Sequence, residues 1–275
     1  MLEAQALNHG RQRKECLCDL NHSVYSVPSV VPFLLIDIGN GRTKLALSTA
    51  EALHERRETS TRELSVASLT QALEGWAFDR VVMCSVVPRA SEVVRDVFGS
   101  KLTELRHDAD LGIGIRYPKP SSIGPDRLAN AVALAGLYAK PGQPGIVIDF
   151  GTAVTFDVLS ADHHYIGGVI APGLRLMTDY LHERTALLPH VELREPETAI
   201  GQSTEGAILA GAAIGYRGMV RGILDALKNE LPGEAPAVVA TGGDGEWIVQ
   251  GMSEVQAVDA DLTLHGLRLF AQRTA

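Results

Sequence analysis

From Pro32 onward, short apolar runs alternate with longer stretches of helical spacing. "FLLIDIG" and "KLALS" read as two strands joined by a tight glycine-rich turn, a hairpin. "RELSVASLTQALEGW" has apolar residues at helical spacing, and "DRVVMCSVVP" is a short buried strand ended by proline. "ASEVVRDVFGS" predicts a helix stopping at Gly99, and "DRLANAVALAGLYAK" a helix with a small apolar face. "PGQPG" then marks a hinge between domains. Beyond it the same grammar restarts. "GIVIDFG" and "AVTFDVLS" form another strand–turn–strand, and "HHYIGGVIAPG" continues the sheet. "STEGAILAGAAIGYRGMVRGILDALKNEL" is a long helix rich in Gly and Ala, "PAVVATGGDG" a strand running into glycines, and "LTLHGLRLFAQR" a closing helix. The mixture is that of an α/β protein.

The two hairpins nearly repeat one another. Laying "DIGNGRTKLALS" over "DFGTAVTFDVLS" pairs Asp37 with Asp149, Gly39 with Gly151, Thr43 with Thr155, Leu47 with Leu159 and Ser48 with Ser160. A duplication follows: two related domains, residues 32–140 and 141–275, facing each other with one Asp-Gly turn from each lining a cleft. Residues 1–31 lack sustained periodicity and read either as a disordered extension or as the product of a start codon placed too early.

Bulk properties narrow the function. A 275-residue chain that is 45% hydrophobic can bury one large core or two ordinary ones. A net charge of −8 and an isoelectric point near 5.6 argue against a nucleic-acid-binding surface, which needs a basic stripe. No apolar run reaches the ~18 residues of a spanning helix. Three cysteines, two of them Cys16 and Cys18 in "ECLCD", give no disulfide framework, and no further ligands accompany them as a metal site. A soluble, reduced, cytoplasmic protein is the expectation.

The hairpin turns suit phosphate chemistry. Glycines let backbone N–H groups approach a polyphosphate without Cβ interference. Asp37, at a strand end, can hold magnesium directly or through water, and Arg42 and Lys44 can neutralise phosphate charge. Other phosphate motifs fail: "GNGRTK" lacks the third glycine of a dinucleotide fingerprint and is followed by a strand, and no Gly-Lys-Ser/Thr of a P-loop occurs. His163 and His164 in "ADHHY" are adjacent on a strand, cannot both face one ion, and mark an exposed hairpin tip.

"YPKPSSIGPDRLANAVAL" places Gly-Pro-Asp-Arg immediately before a helix. Asp126 can simply cap that helix. Alternatively it accepts a proton from a substrate hydroxyl, with Arg127 beside it to bind an anionic group.

In family order, "DIGNGRTK", "YPKPSSIGPDR", "DFGTAVTFDV", "GGVIAPG", "GQSTEGAI", "ATGGDG" and "DLTLHGL" span Asp37 to Leu267. This ordered set resembles the type III pantothenate kinases of the acetate-kinase, sugar-kinase, heat-shock-protein and actin superfamily. The resemblance implies two ribonuclease-H-like domains with a nucleotide cleft between them, and a homodimer whose interface helps build the active site. It implies ATP-dependent phosphorylation of pantothenate, the first committed step towards coenzyme A. Asp37, Ile38, Gly39, Asn40, Gly41, Arg42, Thr43 and Lys44 would cradle the ATP phosphates, with Thr152 adding a nucleotide contact. Gly124, Pro125, Asp126 and Arg127 would bind pantothenate with Tyr117 nearby, Asp126 serving as the base. Thr204 would complete that pocket. Asp149 would bind the monovalent cation, potassium or ammonium, and Asp37 is the candidate for Mg²⁺. The "TGGDG" turn is either an adenosine contact or a plain strand-to-helix turn, and the resemblance favours the nucleotide. The Gly/Ala face of "GAILAGAAIG" serves either packing within one subunit or a dimer contact.

One departure stands out. The family's first motif reads Asp-x-Gly-Asn-Thr, whereas here Gly41 replaces the threonine and removes a hydroxyl. Thr43 is a poor substitute, because strand alternation points it elsewhere. Two other readings remain: a kinase for another small alcohol, and a non-catalytic regulator on the same fold, since relatives have been linked to transcriptional control.

Overall fold

The computed structural model describes residues 32–274. The readings for residues 1–31, Cys16 and Cys18 included, fall outside them. Six strands and two helices precede the central helix: β1 (Phe33–Ile38), β2 (Arg42–Ser48), β3 (Leu53–Ser60), α1 (Val66–Ala72), β4 (Arg80–Ser85), α2 (Pro88–Phe98), β5 (Leu102–Glu104) and β6 (Gly114–Ile115). The central helix is α3 (Pro125–Ala133), extended by a π turn over Leu134–Tyr138. Then follow β7 (Gly145–Phe150), β8 (Ala153–Leu159), β9 (His164–Pro172), α4 (Leu174–Glu183), α5 (Thr204–Ala210), α6 (Tyr216–Glu230), β10 (Ala237–Thr241), α7 (Gly245–Ile248), β11 (Ala257–Val258) and α8 (Leu262–Arg273). The long helix expected after "GQS" is helical throughout, with a π turn at Gly211–Gly215 joining α5 to α6.

Two sheets carry the duplication. The first runs β3-β2-β1-β4-β5 and the second β11-β10-β7-β8-β9-β6. In each, an antiparallel three-stranded meander is followed by two parallel strands, so β1, β2, β3, β4 and β5 correspond to β7, β8, β9, β10 and β11. β6 is an addition, paired in parallel with β9 although it lies in the first half of the sequence.

The repeat is out of step by one residue beyond the turn. Asp37 lies opposite Lys44, whereas Asp149 lies opposite Thr155. The ungapped pairing of Thr43 with Thr155 is therefore wrong, and Thr155 corresponds to Lys44. The second loop is shorter by one residue, and a slip of one residue reverses which face a side chain takes.

That alternation positions the chemistry. Phe33 and Leu35 pack in the cluster between the sheets, whereas Leu34, Ile36 and Ile38 face the outer layer with Leu69, Ala90 and Val94 of α1 and α2. Asp37 shares the parity of Phe33 and Leu35 and so points inward. On β7, Val147 joins the inner cluster, while Ile146, Ile148 and Phe150 join Tyr216, Val220 and Leu224 of α6. Asp149 shares the parity of Val147. Both aspartates thus end the inner faces of their sheets, over a layer formed by α3 and α8.

These two helices touch backbone to side. A Cβ on Gly266 would lie 1.9 Å from the Ala129 carbonyl oxygen, so only glycine permits the approach. Leu128, Ala129, Val132, Leu264, Leu267 and Phe270 fill the inner core around that crossing.

Candidate active site

The first hairpin turn is braced from behind. Gly39 N–H donates to the Arg42 carbonyl at 3.0 Å, Thr61 Oγ1 donates to the Gly39 carbonyl at 2.8 Å, and Thr61 N–H donates to the Gly41 carbonyl at 3.2 Å. The buried Thr43 hydroxyl lies 2.9 Å from Thr61 Oγ1. Thr43 therefore points away from Asp37 and Lys44. Its side chain holds the turn and is not free to take over from the missing hydroxyl at position 41. Asn40, Gly41 and Arg42 are exposed at the turn, and Arg42 pairs with Glu58 at 3.2 Å.

Asp37 is 9% exposed. Burial pushes its carboxyl up to about 7; the Lys44 ammonium opposes this, and the charges of Asp126 and Asp149 reinforce it. Asp149 is raised chiefly by burial and then by Asp126, against a hydrogen bond from Asn130 and the charge of Lys44. Asp126 is raised by burial, and it accepts the Arg127 backbone N–H at 2.8 Å on Oδ1. Three desolvated carboxylates, one from each sheet and one from the start of α3, thus lie within reach of one another's charge; Lys44 offsets those of Asp37 and Asp149, and Arg127 that of Asp126. Lys44 Nζ donates to the Ala260 carbonyl at 3.1 Å, linking β2 to the loop before α8.

Asp149 is fixed by a relay. Asn130 Nδ2 donates to Asp149 Oδ2 at 3.1 Å, and Thr263 Oγ1 donates to Asn130 Oδ1 at 2.8 Å. Asn130 and Thr263 come from α3 and α8, so the Gly266 contact also sets this carboxylate.

The second turn is crowded by backbone. Gly173 N–H donates to the Thr152 carbonyl at 3.1 Å. A Cβ on Gly173 would lie 2.3 Å from that oxygen, and one on Gly242 2.4 Å from the Phe150 carbonyl oxygen. The "TGGDG" turn therefore closes on the end of β7, immediately beyond Asp149, while the Thr152 side chain stays exposed.

A second cluster begins at Arg127. Arg127 Nε donates to Asp157 Oδ1 at 2.6 Å, and Tyr165 OH donates to the same oxygen at 2.9 Å. Arg127 stands 5.8 Å from the centre of the Tyr165 ring, and Tyr117 meets that ring edge-on at 6.1 Å. Gly124 caps the start of α3, where a Cβ would lie 2.5 Å from Asp126 Oδ1, and Pro125 opens the helix. Of the residues expected from sequence, Asp37, Lys44, Asp126, Arg127 and Asp149 thus lie within one charge network, with Tyr117 at the edge of the Arg127 cluster. Thr204 is exposed at the start of α5, where Ser203 caps the helix, and among the described residues no hydrogen bond joins its side chain to the carboxylates. Cys84, Asn130, Asp157, Tyr165 and Thr263 were not anticipated.

Comparison with known proteins identifies the family. The family model for type III pantothenate kinase matches residues 33–226. A type III pantothenate kinase of Akkermansia muciniphila is 51% identical over 240 residues, 87% of this chain and 98% of its own. That of Methylacidiphilum infernorum is 42% identical over 240 residues, 87% and 88% of the two chains. In three dimensions, a conserved putative Baf family transcriptional activator from Campylobacter jejuni superposes with a TM-score of 0.59 at 19% identity, covering 88% of this chain and 98% of that one. At that identity the likeness shows the fold alone. The chain belongs to the type III pantothenate kinase family.

Proposed function

We infer that the protein transfers the γ-phosphoryl group of ATP to the hydroxyl of pantothenate. The observation that carries this reading is the cluster of buried carboxylates of Asp37, Asp126 and Asp149, with Lys44 beside the first and third and Arg127 beside the second, on a family-matched fold. Phosphoryl transfer asks a protein chiefly for positioning and charge neutralisation. Asp126 has one oxygen committed to the Arg127 N–H and a second left for the substrate, and it is the base that takes the hydroxyl proton. Lys44 moves from the Ala260 carbonyl to the phosphates, and the N–H groups of the first turn complete their cradle. Arg127 takes the carboxylate of pantothenate beside Tyr117, the second turn and Gly242 meet the nucleoside side, and Thr204 joins the pocket from the second helical layer.

The carboxylates also fit cations. They are all-oxygen donors held partly desolvated, which suits hard ions. Among the described residues no three His, Cys, Asp or Glu side chains are grouped to hold an ion by themselves, so phosphate oxygens and water would complete a Mg²⁺ shell at Asp37. Asp149 would hold potassium or ammonium. A bound cation supplies positive charge against the phosphates.

A second copy of the chain is the proposed partner. Leu176, Met177, Tyr180 and Leu181 of α4 are exposed together with Ile214. A Cβ on Gly211, Gly215, Gly218 or Gly222 would meet nothing within 4 Å, so packing within the described residues does not require that small-residue stripe. The run Thr204–Glu230 has the length and composition of a membrane span, but its Tyr216, Val220 and Leu224 are core residues, and we place the protein in the cytoplasm. We also keep 32–140 and 141–275 as the two domains, joined at the β6 and α8 crossings.

The test is ADP release with pantothenate and Mg-ATP, with potassium present or replaced by sodium. Potassium-dependent turnover by a dimer in light scattering supports the reading. A folded protein without turnover under any cation overturns it and returns attention to other alcohols or to a regulatory role.

A further inference from the structure

Asp157 is 1% exposed, yet nothing in phosphoryl transfer itself calls for a carboxylate there. It shares the inward parity of Thr155 and Leu159 on β8 and meets α3 where Arg127 descends. One oxygen, Oδ1, accepts both Arg127 Nε and Tyr165 OH, and Oδ2 lies 3.4 Å from Thr155 Oγ1. Arg127 is thus held by its Nε edge. Among the described residues neither terminal nitrogen of its guanidinium has a hydrogen-bond partner. A Cβ on Gly168 would stand 1.6 Å from the Phe156 carbonyl oxygen and 3.3 Å from Arg127 Nη2, and one on Gly167 would stand 3.6 Å from the Tyr117 ring. Gly168 is thus required by the close approach of the β8 backbone, and the glycine pair presents no side chain beside the Arg127 guanidinium edge and the Tyr117 ring.

We propose that Asp157, braced by Tyr165, is a positioning residue that fixes Arg127 so that its two terminal nitrogens face the substrate's carboxylate over Gly167 and Gly168. This rests on the reading that Arg127 meets the anionic end of pantothenate. A guanidinium offers its donors in one plane, so fixing Nε sets the direction of the other two. Without the brace, the long side chain regains rotamers and pays their entropy on binding each substrate molecule.

The experiment compares Arg127→Gln, Asp157→Asn, Tyr165→Phe and the Arg127→Gln/Asp157→Asn double variant in the full chain, measuring kcat and both KM values with thermal unfolding. Asp157→Asn is expected to raise the pantothenate KM about 10- to 100-fold, the range of a charge-assisted hydrogen bond, with the ATP KM unchanged. Tyr165→Phe, which removes only a hydroxyl, gives a smaller rise in the same parameter and serves if Asp157→Asn does not fold. The double variant should be no worse than Arg127→Gln alone. If Arg127→Gln raises the pantothenate KM but neither Asp157→Asn nor Tyr165→Phe does, the positioning role fails while the substrate reading stands. If both KM values rise together with a lowered unfolding temperature, or the two substitutions add fully, Asp157 is structural and the proposal is overturned. If Arg127→Gln leaves the pantothenate KM unchanged, the reading of Arg127 fails and the proposal falls with it.

Discussion

Cys84 lies beside Asp37 on the neighbouring parallel strand, and its Sγ donates to Asp37 Oδ1 across 3.4 Å. Burial and the adjacent carboxylates push the thiol up, so it stays protonated and remains a donor. It is a weak donor, however, and Lys44 is shared with Asp149. Asp37 is consequently left near 7, a carboxylate kept in the core at a cost to folding.

The first prediction follows from that cost. The folded pKa of Asp37 lies above its ordinary value of 3.8, so the folded state binds more protons and stability falls as pH rises from about 4 to about 7. Asp37→Asn should therefore unfold at a higher temperature than the parent at pH 8, by roughly 1–3 kcal/mol of stability, with the gap shrinking towards pH 5. Turnover should be lost in the same variant. Calorimetry at the two pH values checks this, and a variant less stable than the parent at pH 8 would show that Asp37 is well compensated.

The second prediction concerns Asp126. If it takes the substrate proton, Asp126→Asn should lower kcat by about 10²- to 10⁴-fold. The ATP KM should change little, because Lys44 and the first turn remain. Retention of Arg127's hold on Asp157 in this variant keeps the pantothenate KM within a few-fold of the parent. Steady-state kinetics would sink the assignment if kcat held while only the pantothenate KM rose, since Asp126 would then be merely a helix cap.

Much of this site could be read from the sequence because it sits where apolar runs end. Asp37 and Asp149 interrupt "FLLI" and "GIVI", and glycines follow each. Strand β3, "LHERRETS", was invisible for the opposite reason: it is an edge strand with no fully buried residue and no apolar alternation to mark it. Asp157 offered a signal in "VTFDVLS", a charge inside an apolar strand, but its partner Arg127 lies 30 residues earlier and only the fold joins them. The one-residue loop difference hid the correspondence of Lys44 with Thr155. Sequence identity favours the ungapped match, whereas hydrogen-bond register decides the face. Asn130 and Thr263 are 133 residues apart and carry no motif that links them.

The third prediction uses that distant pair. Gly266→Ala must separate α8 from the Ala129 carbonyl, because the added Cβ has no flexible side chain to displace. The cost is expected at about 1–3 kcal/mol, as for other overpacked cores. The separation also pulls Thr263 from Asn130 and loosens Asp149, so the potassium concentration giving half-maximal activity should rise. Thr263→Val, which keeps the helices together but removes the hydroxyl, should reproduce the potassium effect with less loss of stability. An unchanged potassium requirement in both variants would disconnect the relay from cation binding.

Gly41 supports the last prediction. It is exposed, its φ lies outside the left-handed range, and a Cβ there would meet nothing within 4 Å. No backbone demand explains glycine at this position. Gly41→Thr should therefore stabilise the fold by about 0.4–1 kcal/mol through the unfolded chain's lost freedom. It also adds a hydroxyl at the turn proposed to cradle the phosphates, which Thr43 cannot supply from the opposite face. One added hydrogen bond is worth about 0.5–1.5 kcal/mol, so the ATP KM should fall by roughly 2- to 10-fold with the pantothenate KM unchanged. Gly41→Ala separates the two effects: it should gain the stability without the change in ATP KM. If both variants bind ATP like the parent while being more stable, the turn's hydroxyl does not reach the phosphates. If Gly41→Thr binds ATP more weakly, the glycine is needed for close approach of the polyphosphate, and its presence is then an adaptation of the turn.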